Sequence, residues 1–225
     1  MTDLAAALVQ SIKMGEIKLA ALVPVDLLRG KRTYFQAEIF NDPKYKAALT
    51  NPDQFQAILQ ELQGESGLLV GKYGEERQAM LVGSRYEAEG RTIHLGLDLL
   101  LAPGTAIFAA FAGQVVASAQ EDKLLGYGNY LLLEHRLGER KFYTFYGHLA
   151  TAERAKLGRA VLAGEAIATI GDSKQNGGWP SHLHFQLCTE FPPAGHPPGY
   201  VSKQDFAKLA ALYPDPSFII DPAWR

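Results

Sequence analysis

From about residue 67 onward, apolar and polar positions alternate in short runs separated by turn residues. Leu68 to Tyr73, Gln78 to Val82, His94 to Leu100, Gly113 to Ser118, Asn129 to His135, Phe142 to Tyr146, Ala166 to Ile170 and His182 to Cys188 read as β-strands. Successive side chains of a strand face opposite sides, which gives such runs their period of two. Pro103-Gly104, Leu137-Gly138, Leu157-Gly158 and Ala163-Gly164 punctuate them as turns. Long helical crossovers are missing between the runs. The pattern therefore predicts a mainly β, antiparallel core rather than a doubly wound parallel sheet.

Residues 1–65 follow a helical period. Leu4, Ala7, Leu8, Ser11 and Ile12 form an apolar stripe that Gly15 can end, and Ile17 to Leu28 is apolar with Pro24 interrupting it. Thr50-Asn51-Pro52-Asp53 reads as a helix start, followed by Phe55, Ile58, Leu59 and Leu62 at i, i+3, i+4 and i+7, with Gly64 closing the segment. These helices are expected to pack against the core, with a lid or substrate-facing arm as the alternative. After residue 191 the chain is proline-rich, with one short helical pattern through Phe206, Leu209, Ala210 and Tyr213. The predicted organisation is an N-terminal helical extension (1–65), a β domain (66–190) and a Pro-rich C-terminal extension with a short helix (191–225), α+β overall.

Composition narrows the function classes. The 225 residues are 47% apolar and 20% charged, as expected of a soluble globular protein. A formal net charge of −2 offers no electrostatic case for nucleic acid or an anionic membrane. The single cysteine, Cys188, excludes an internal disulfide and reads as a buried, inert thiol. No run reaches the ~18 apolar residues of a membrane span. Met1 to Gln10 lacks a basic stretch followed by a sustained apolar core, so the expectation is no signal peptide and a cytoplasmic location, or the periplasm or envelope if a targeting segment has been removed.

Chemistry concentrates in the histidines. His182 and His184 lie two apart in an apolar run, so both imidazoles face one side of a strand. His94 and Asp98 are four apart, with Leu95 and Leu97 turned the other way. Zinc takes imidazole nitrogen and carboxylate oxygen, and a catalytic site keeps one position for water. His94, Asp98 and either His182 or His184 would make such a set, with Tyr146-Gly147-His148-Leu149 supplying a further histidine. His135 is expected to be structural or superficial, and His196 solvated. Tyr86, Tyr127 and Tyr146 fit packing better than hydrogen bonding to a reacting group, and Asn129 fits a turn better than a groove wall. Tyr146, Asn129 and Trp179 nonetheless stand as candidate substrate contacts.

In family order, His94-Leu-Gly-Leu-Asp98, Gly104-Thr105, Ala109 to Val116, Gly126-Tyr-Gly-Asn129, Tyr146-Gly-His148-Leu149, Gly164 to Gly171 and His182-Leu-His184-Phe185 resemble the lysostaphin-type, LytM-like zinc metallopeptidases. That family cleaves peptide cross-links of bacterial peptidoglycan. The resemblance covers about residues 67 to 190. It implies an antiparallel sheet with zinc in a groove, one zinc per chain bound by His94, Asp98 and His184, and His148 and His182 as the uncoordinated catalytic pair. The implied substrate is a peptide or muropeptide. Zinc would lower the pKa of its water and polarise the scissile carbonyl, while a histidine takes or returns a proton. Trp179-Pro180 and Tyr213-Pro-Asp-Pro216 resemble a version of this module fused elsewhere to kinase-like phosphotransferase and class III aminotransferase domains, and a cytoplasmic enzyme would meet precursors, recycled muropeptides or other small peptides or amides rather than mature cross-links. A non-hydrolytic binding or regulatory module that keeps the groove is the alternative. A closed structural zinc site would need a fourth protein ligand.

Overall fold

The computed structural model describes residues 3–64, 67–150 and 155–221. Its strands are β1 (Lys31–Tyr34), β2 (Gly67–Gly71), β3 (Arg91–His94), β4 (Leu97–Leu100), β5 (Ala106–Phe108), β6 (Gly113–Glu121), β7 (Gly128–Leu137), β8 (Arg140–Leu149), β9 (Ala160–Val161), β10 (Ala166–Thr169), β11 (His182–Cys188) and β12 (Tyr200–Ser202). The helices are α1 (Leu4–Lys13), α2 (Val25–Arg29), α3 (Pro43–Lys46), α4 (Pro52–Gln63), α5 (Arg85–Ala88) and α6 (Phe206–Leu212).

Eight strands form one sheet in the order β1-β2-β4-β11-β8-β7-β6-β9, and β5 with β10 and β3 with β12 form two-stranded ribbons. The long apolar alternations become the sheet's middle, where β11, β8 and β7 pair antiparallel. Both faces of these strands are covered. Leu131, Leu133, Phe142, Tyr146, Leu183 and Phe185 meet Leu4, Leu8, Leu22 and Val23 in the main core. Leu132, Tyr143, Phe145 and Cys188 pack on the other face with Ile93, Val201 and Tyr213. Leu183, Phe185 and Leu187 of β11 thus point into the main core, and its histidines face the opposite way.

Four local readings change. Gln78 to Val82 is a 3-10 turn over Gln78–Met80, not a strand. Met80 and Leu81 instead fill a satellite core with Phe35, Phe40 and Phe55, since a short apolar run fits either structure by period alone. His94 to Leu100 is not one strand. β3 ends at His94 and pairs with β12, while β4 starts at Leu97 and pairs with β2 and β11. The N-terminal segment is not all helix, because β1 joins β2 in parallel and makes the sheet mixed. Lys31-Arg-Thr-Tyr34 is a polar edge strand with no apolar alternation to reveal it. β12 lies unannounced in the Pro-rich segment.

The helix start at Pro52 is as read: the Asn51 side chain accepts from the Asp53 and Gln54 amides at 3.1 and 3.2 Å, and Gly64 ends α4 with φ +72°. Helix α1 is part of the core rather than an appendage, with Leu4 and Leu8 fully buried against the sheet. Leu8→Ala should therefore cost about 2–5 kcal/mol in a single cooperative urea transition. A loss under about 1 kcal/mol, or a separate early transition, would contradict that packing.

Candidate metal centre

The site is a row across three adjacent strands. In register, His184 of β11 sits opposite Asp98 of β4 on one side and Gly147 of β8 on the other. Side chains directly opposite in an antiparallel pair lie within contact distance, and His184 Nδ1 is 2.9 Å from Asp98 Oδ1. His94 enters from the end of β3, after which the chain turns through Leu95 and Gly96 into β4. A Cβ at Gly96 would fall 2.4 Å from His184 Cε1, so glycine makes room for that ring. His94 Nε2 lies 3.2 Å from Asp98 Oδ2 and 3.2 Å from His184 Nδ1.

His148 reaches the same face by a backbone irregularity. Tyr146 and His148 are two apart and would share a face of a regular strand. His148 instead has φ +64°, and the pairing with β7 slips between Asn129 and Leu131. A non-glycine residue there costs on the order of 1–3 kcal/mol, offset by hydrogen bonds from the His148 amide to Tyr127 O (2.9 Å) and from the Gly171 amide to His148 O (3.0 Å). The His148 ring then lies 4.2 Å, centre to centre, from that of His182.

Outward hydrogen bonds assign the protons. His94 Nδ1 meets the Lys72 carbonyl at 2.9 Å, which can only accept, so Nε2 carries the lone pair. Gln186 donates its amide to Pro198 O at 3.2 Å, which turns its Oε1 toward His184 Nε2 at 2.8 Å. His184 therefore keeps its lone pair on Nδ1. His148 and His182 donate from Nδ1 to the carbonyls of Asn176 (2.8 Å) and Pro180 (2.7 Å), leaving Nε2 as the basic atom of each. His182 Nε2 is 3.7 Å from Asp98 Oδ1.

Three lone-pair atoms thus converge, on His94, Asp98 and His184, with no hydrogen between them. They repel one another unless a cation lies in their midst. The two imidazole nitrogens are 3.2 Å apart, and each lies 2.9 or 3.2 Å from one oxygen of Asp98, Oδ1 for His184 and Oδ2 for His94, close to the about 3.3–3.4 Å edge of a tetrahedron whose centre is ~2.0–2.1 Å from each ligand. The same three residues are the group among the described residues able to hold a metal ion. Two imidazoles and one carboxylate leave a fourth tetrahedral position open.

Electrostatics keep the donors in the needed charge states. Burial, then the Arg77 cation, push His94 down to about 4. Burial, then the neighbouring His182 and His184, hold His148 well below its ordinary value, and burial lowers His182 against the opposing pull of Asp98. Burial alone would raise the Asp98 carboxyl, but His94 and Arg77 outweigh it and hold it well below the usual range. Arg77 is itself buried, pairing with Asp98 Oδ2 at 2.6 Å and Glu75 Oε2 at 2.9 Å and donating to the Tyr200 hydroxyl at 3.3 Å. Trp179 stacks on Tyr200 at 6.3 Å and closes the cleft beside His148 and His182, each 6.4 Å away. The Asn176 side chain brackets Trp179 through its backbone amide and carbonyl, both at 3.0 Å.

Residues 92–194 match the model of peptidase family M23. That segment is similar to family M23 and is just under half of the chain. All five histidine and aspartate positions of the site fall within the matched segment, whereas Arg77 and Tyr200, which brace Asp98, lie outside it. A curated relative, the uncharacterized lipoprotein YgeR of Escherichia coli K12, is 36% identical over 92 residues, 41% of this chain and 33% of that protein. The chain thus spans about a third of that relative's length. Among solved structures, a zinc-containing peptidase from Vibrio cholerae is 29% identical over 43% of this chain and 27% of its own, with TM-score 0.36. The catalytic domain of the antimicrobial peptidase lysostaphin from Staphylococcus simulans is 25% identical over 52% and 80%, with TM-score 0.37.

Within the matched segment, the structure gathers His94, Asp98, His148, His182 and His184 and sets Trp179 against them. Two candidate contacts lie elsewhere. Tyr146 is fully buried in the main core, its hydroxyl accepting from the Ala110 amide at 3.0 Å and from Thr144 Oγ1 at 3.2 Å. Asn129 spends its amide nitrogen on the carbonyls of Leu149, Ala150 and Gln175, tying two loops together. His135 is structural: its ring nitrogens meet Ala112 O and Thr144 Oγ1, and burial takes it down to about 4. Gln186 was missed, although the period of two makes it the next same-face position after His184 on β11. Arg77 and Tyr200 left no sequence signal, since neither sits in a motif.

The signs of these shifts set a pH window. His94 and His135 bind no proton when folded until about pH 4, but bind one when unfolded near 6.5. The unfolded state therefore takes up more protons between those values, and the stability is complete above pH ~6.5 and lost as pH falls toward ~4. The metal-free protein's thermal midpoint should drop across that window, and a midpoint flat down to pH ~4 would contradict buried neutral rings. Arg77→Met should cost the metal-free protein about 3–5 kcal/mol in urea titration, because Asp98 loses its buried cation.

Proposed function

We propose that the protein is a zinc-dependent metalloendopeptidase that hydrolyses amide bonds of peptides, including those derived from peptidoglycan. The observation that carries this reading is the set of three convergent lone-pair atoms on His94, Asp98 and His184 beside the second histidine pair. One zinc per chain would be held by His94 Nε2, the Asp98 carboxylate and His184 Nδ1. Bound there, zinc supplies Lewis-acid polarisation of a carbonyl and brings the pKa of water toward neutrality.

The chain's own residues do the rest. His148 and His182 are the catalytic pair. Each presents an Nε2 lone pair toward the cleft and is neutral at pH 7, so either atom accepts a proton from water and returns it to the leaving amine. Their Nδ1–H groups are pinned to backbone carbonyls, which fixes the tautomer and aims the ring. Trp179 excludes water from one side. Compartment decides which peptides are met: the cytoplasm expected from sequence offers precursors and recycled fragments, and the envelope location suggested by the lipoprotein relative offers mature cross-links.

Freshly purified protein should contain about one zinc per chain by elemental analysis, and His94→Ala or Asp98→Ala should lose it. His148→Ala should keep the metal and lose hydrolysis by about 10²–10⁴-fold. A screen of peptidoglycan fragments, stem peptides and short peptides, with and without chelator, reads the activity. Cleavage indifferent to chelator would overturn the zinc mechanism. Tight binding of a fragment without cleavage would favour a non-hydrolytic module instead.

A further inference from the structure

Next to the metal cluster lies a second cavity of about 60 Å³, on the other side of Trp179 and His182 from the catalytic cleft. Its walls are mostly apolar, with Phe35, Phe55 and Leu59 from the N-terminal segment, Leu69 of β2, Met80 and Trp179, and they turn polar only where Arg77, Asp98, His182 and Tyr200 meet the metal cluster. Asp98 and His182 line both cavities, so the apolar pocket is continuous with the reacting centre. Phe35, Phe55 and Met80 belong to the satellite core that also holds Leu100, Trp179 and Tyr200, and all three lie outside the segment that matches family M23.

We propose that this pocket takes the side chain of the substrate residue flanking the scissile bond, and that it selects a branched aliphatic residue of leucine size. The inference rests on the peptidase reading above and names its substrate class. Three features fix the occupant. A single water needs roughly 10–15 Å³, so 60 Å³ has room for about four to six heavy atoms, and leucine's side chain has four carbons. Of the charged groups on the wall, Asp98 and Arg77 are already paired with each other and Arg77 also with Glu75, so a charged side chain would lose its hydration without a free counter-ion. Arg77 supplies a polar handle with a free donor: its Nη2 is buried without a hydrogen-bond partner and lies against Gly71, which also lines the pocket. That donor suits a backbone carbonyl of the peptide entering there.

The test uses the zinc-loaded full chain and end-blocked Gly-Gly-Xaa-Gly-Gly peptides with Xaa glycine, alanine, valine or leucine, the cut located by mass spectrometry. Cleavage should fall beside Xaa, with kcat/KM rising along that series and leucine favoured over glycine by about ten- to a hundredfold, as burial of one aliphatic side chain implies. Leu59→Trp, at the half-buried rim, should compress the leucine preference to less than about threefold. A second readout needs no turnover: calorimetry on the metal-free protein should detect N-acetyl-leucinamide binding at least about tenfold tighter than N-acetyl-glycinamide. Cleavage with a flat or glycine-favouring series, together with equal binding of the two amides, would overturn the pocket while leaving the peptidase reading intact. Selective leucinamide binding with no peptide cleaved would uphold the pocket and sink the peptidase reading instead.

Discussion

The site depends on keeping one carboxylate charged where water barely reaches. Asp98 is 13% exposed, and a buried charge is tolerable only when it is paired and hydrogen-bonded. Its two oxygens are divided between His184 and His182 on one side and His94 and Arg77 on the other. Arg77 stabilises the anion while depressing the nearby imidazole, so the same cation keeps Asp98 ionised and His94 neutral. Both effects are what a divalent metal requires, because its ligands must arrive without their protons. Glu75 balances Arg77 from behind, and burial raises its carboxyl despite that pairing.

Geometry around Asp98 is set by strand register and by hydrogen bonds one layer out. A slip of one residue in β4 or β11 would send Asp98 or His184 into the main core. The main core, filled by Leu97, Leu99, Leu183 and Phe185, prevents that slip. Each histidine then has its outward nitrogen committed to an acceptor, which leaves the inward atom as a lone pair. The two departures from regular backbone, the turn at Gly96 and the left-handed His148, both bring a ring onto the face that strand periodicity alone would not supply. Strain at such a place is stored because the surrounding strands over-determine it.

Much of this was readable from the chain. Strand β11 runs from His182 to Cys188 as its alternation predicts, and the two same-face histidines follow from the period of two. His94 and Asp98 meet, though for a different reason than a shared strand: the chain breaks between them and Asp98 is delivered by β4's pairing with β11. Tyr146 packs in the core, as its reading favoured, and it is no substrate contact because the slip at Gly147-His148 inverts the face without altering the apolar pattern. Arg77, Tyr200 and the polar strand β1 were invisible because their roles come from long-range contacts. The Arg77–Tyr200 hydrogen bond spans 123 residues of sequence. Periodicity reports which side a residue faces, not what arrives there from elsewhere.

The central claim is that His94, Asp98 and His184 make a three-ligand zinc site with one open position. Zinc-edge X-ray absorption of the metal-loaded protein tests it most directly. The account predicts a shell of four light scatterers at about 2.0–2.1 Å, with the outer-shell signature of two imidazoles and no sulfur. Three or more imidazoles, a sulfur ligand, or a six-coordinate all-oxygen shell would contradict it.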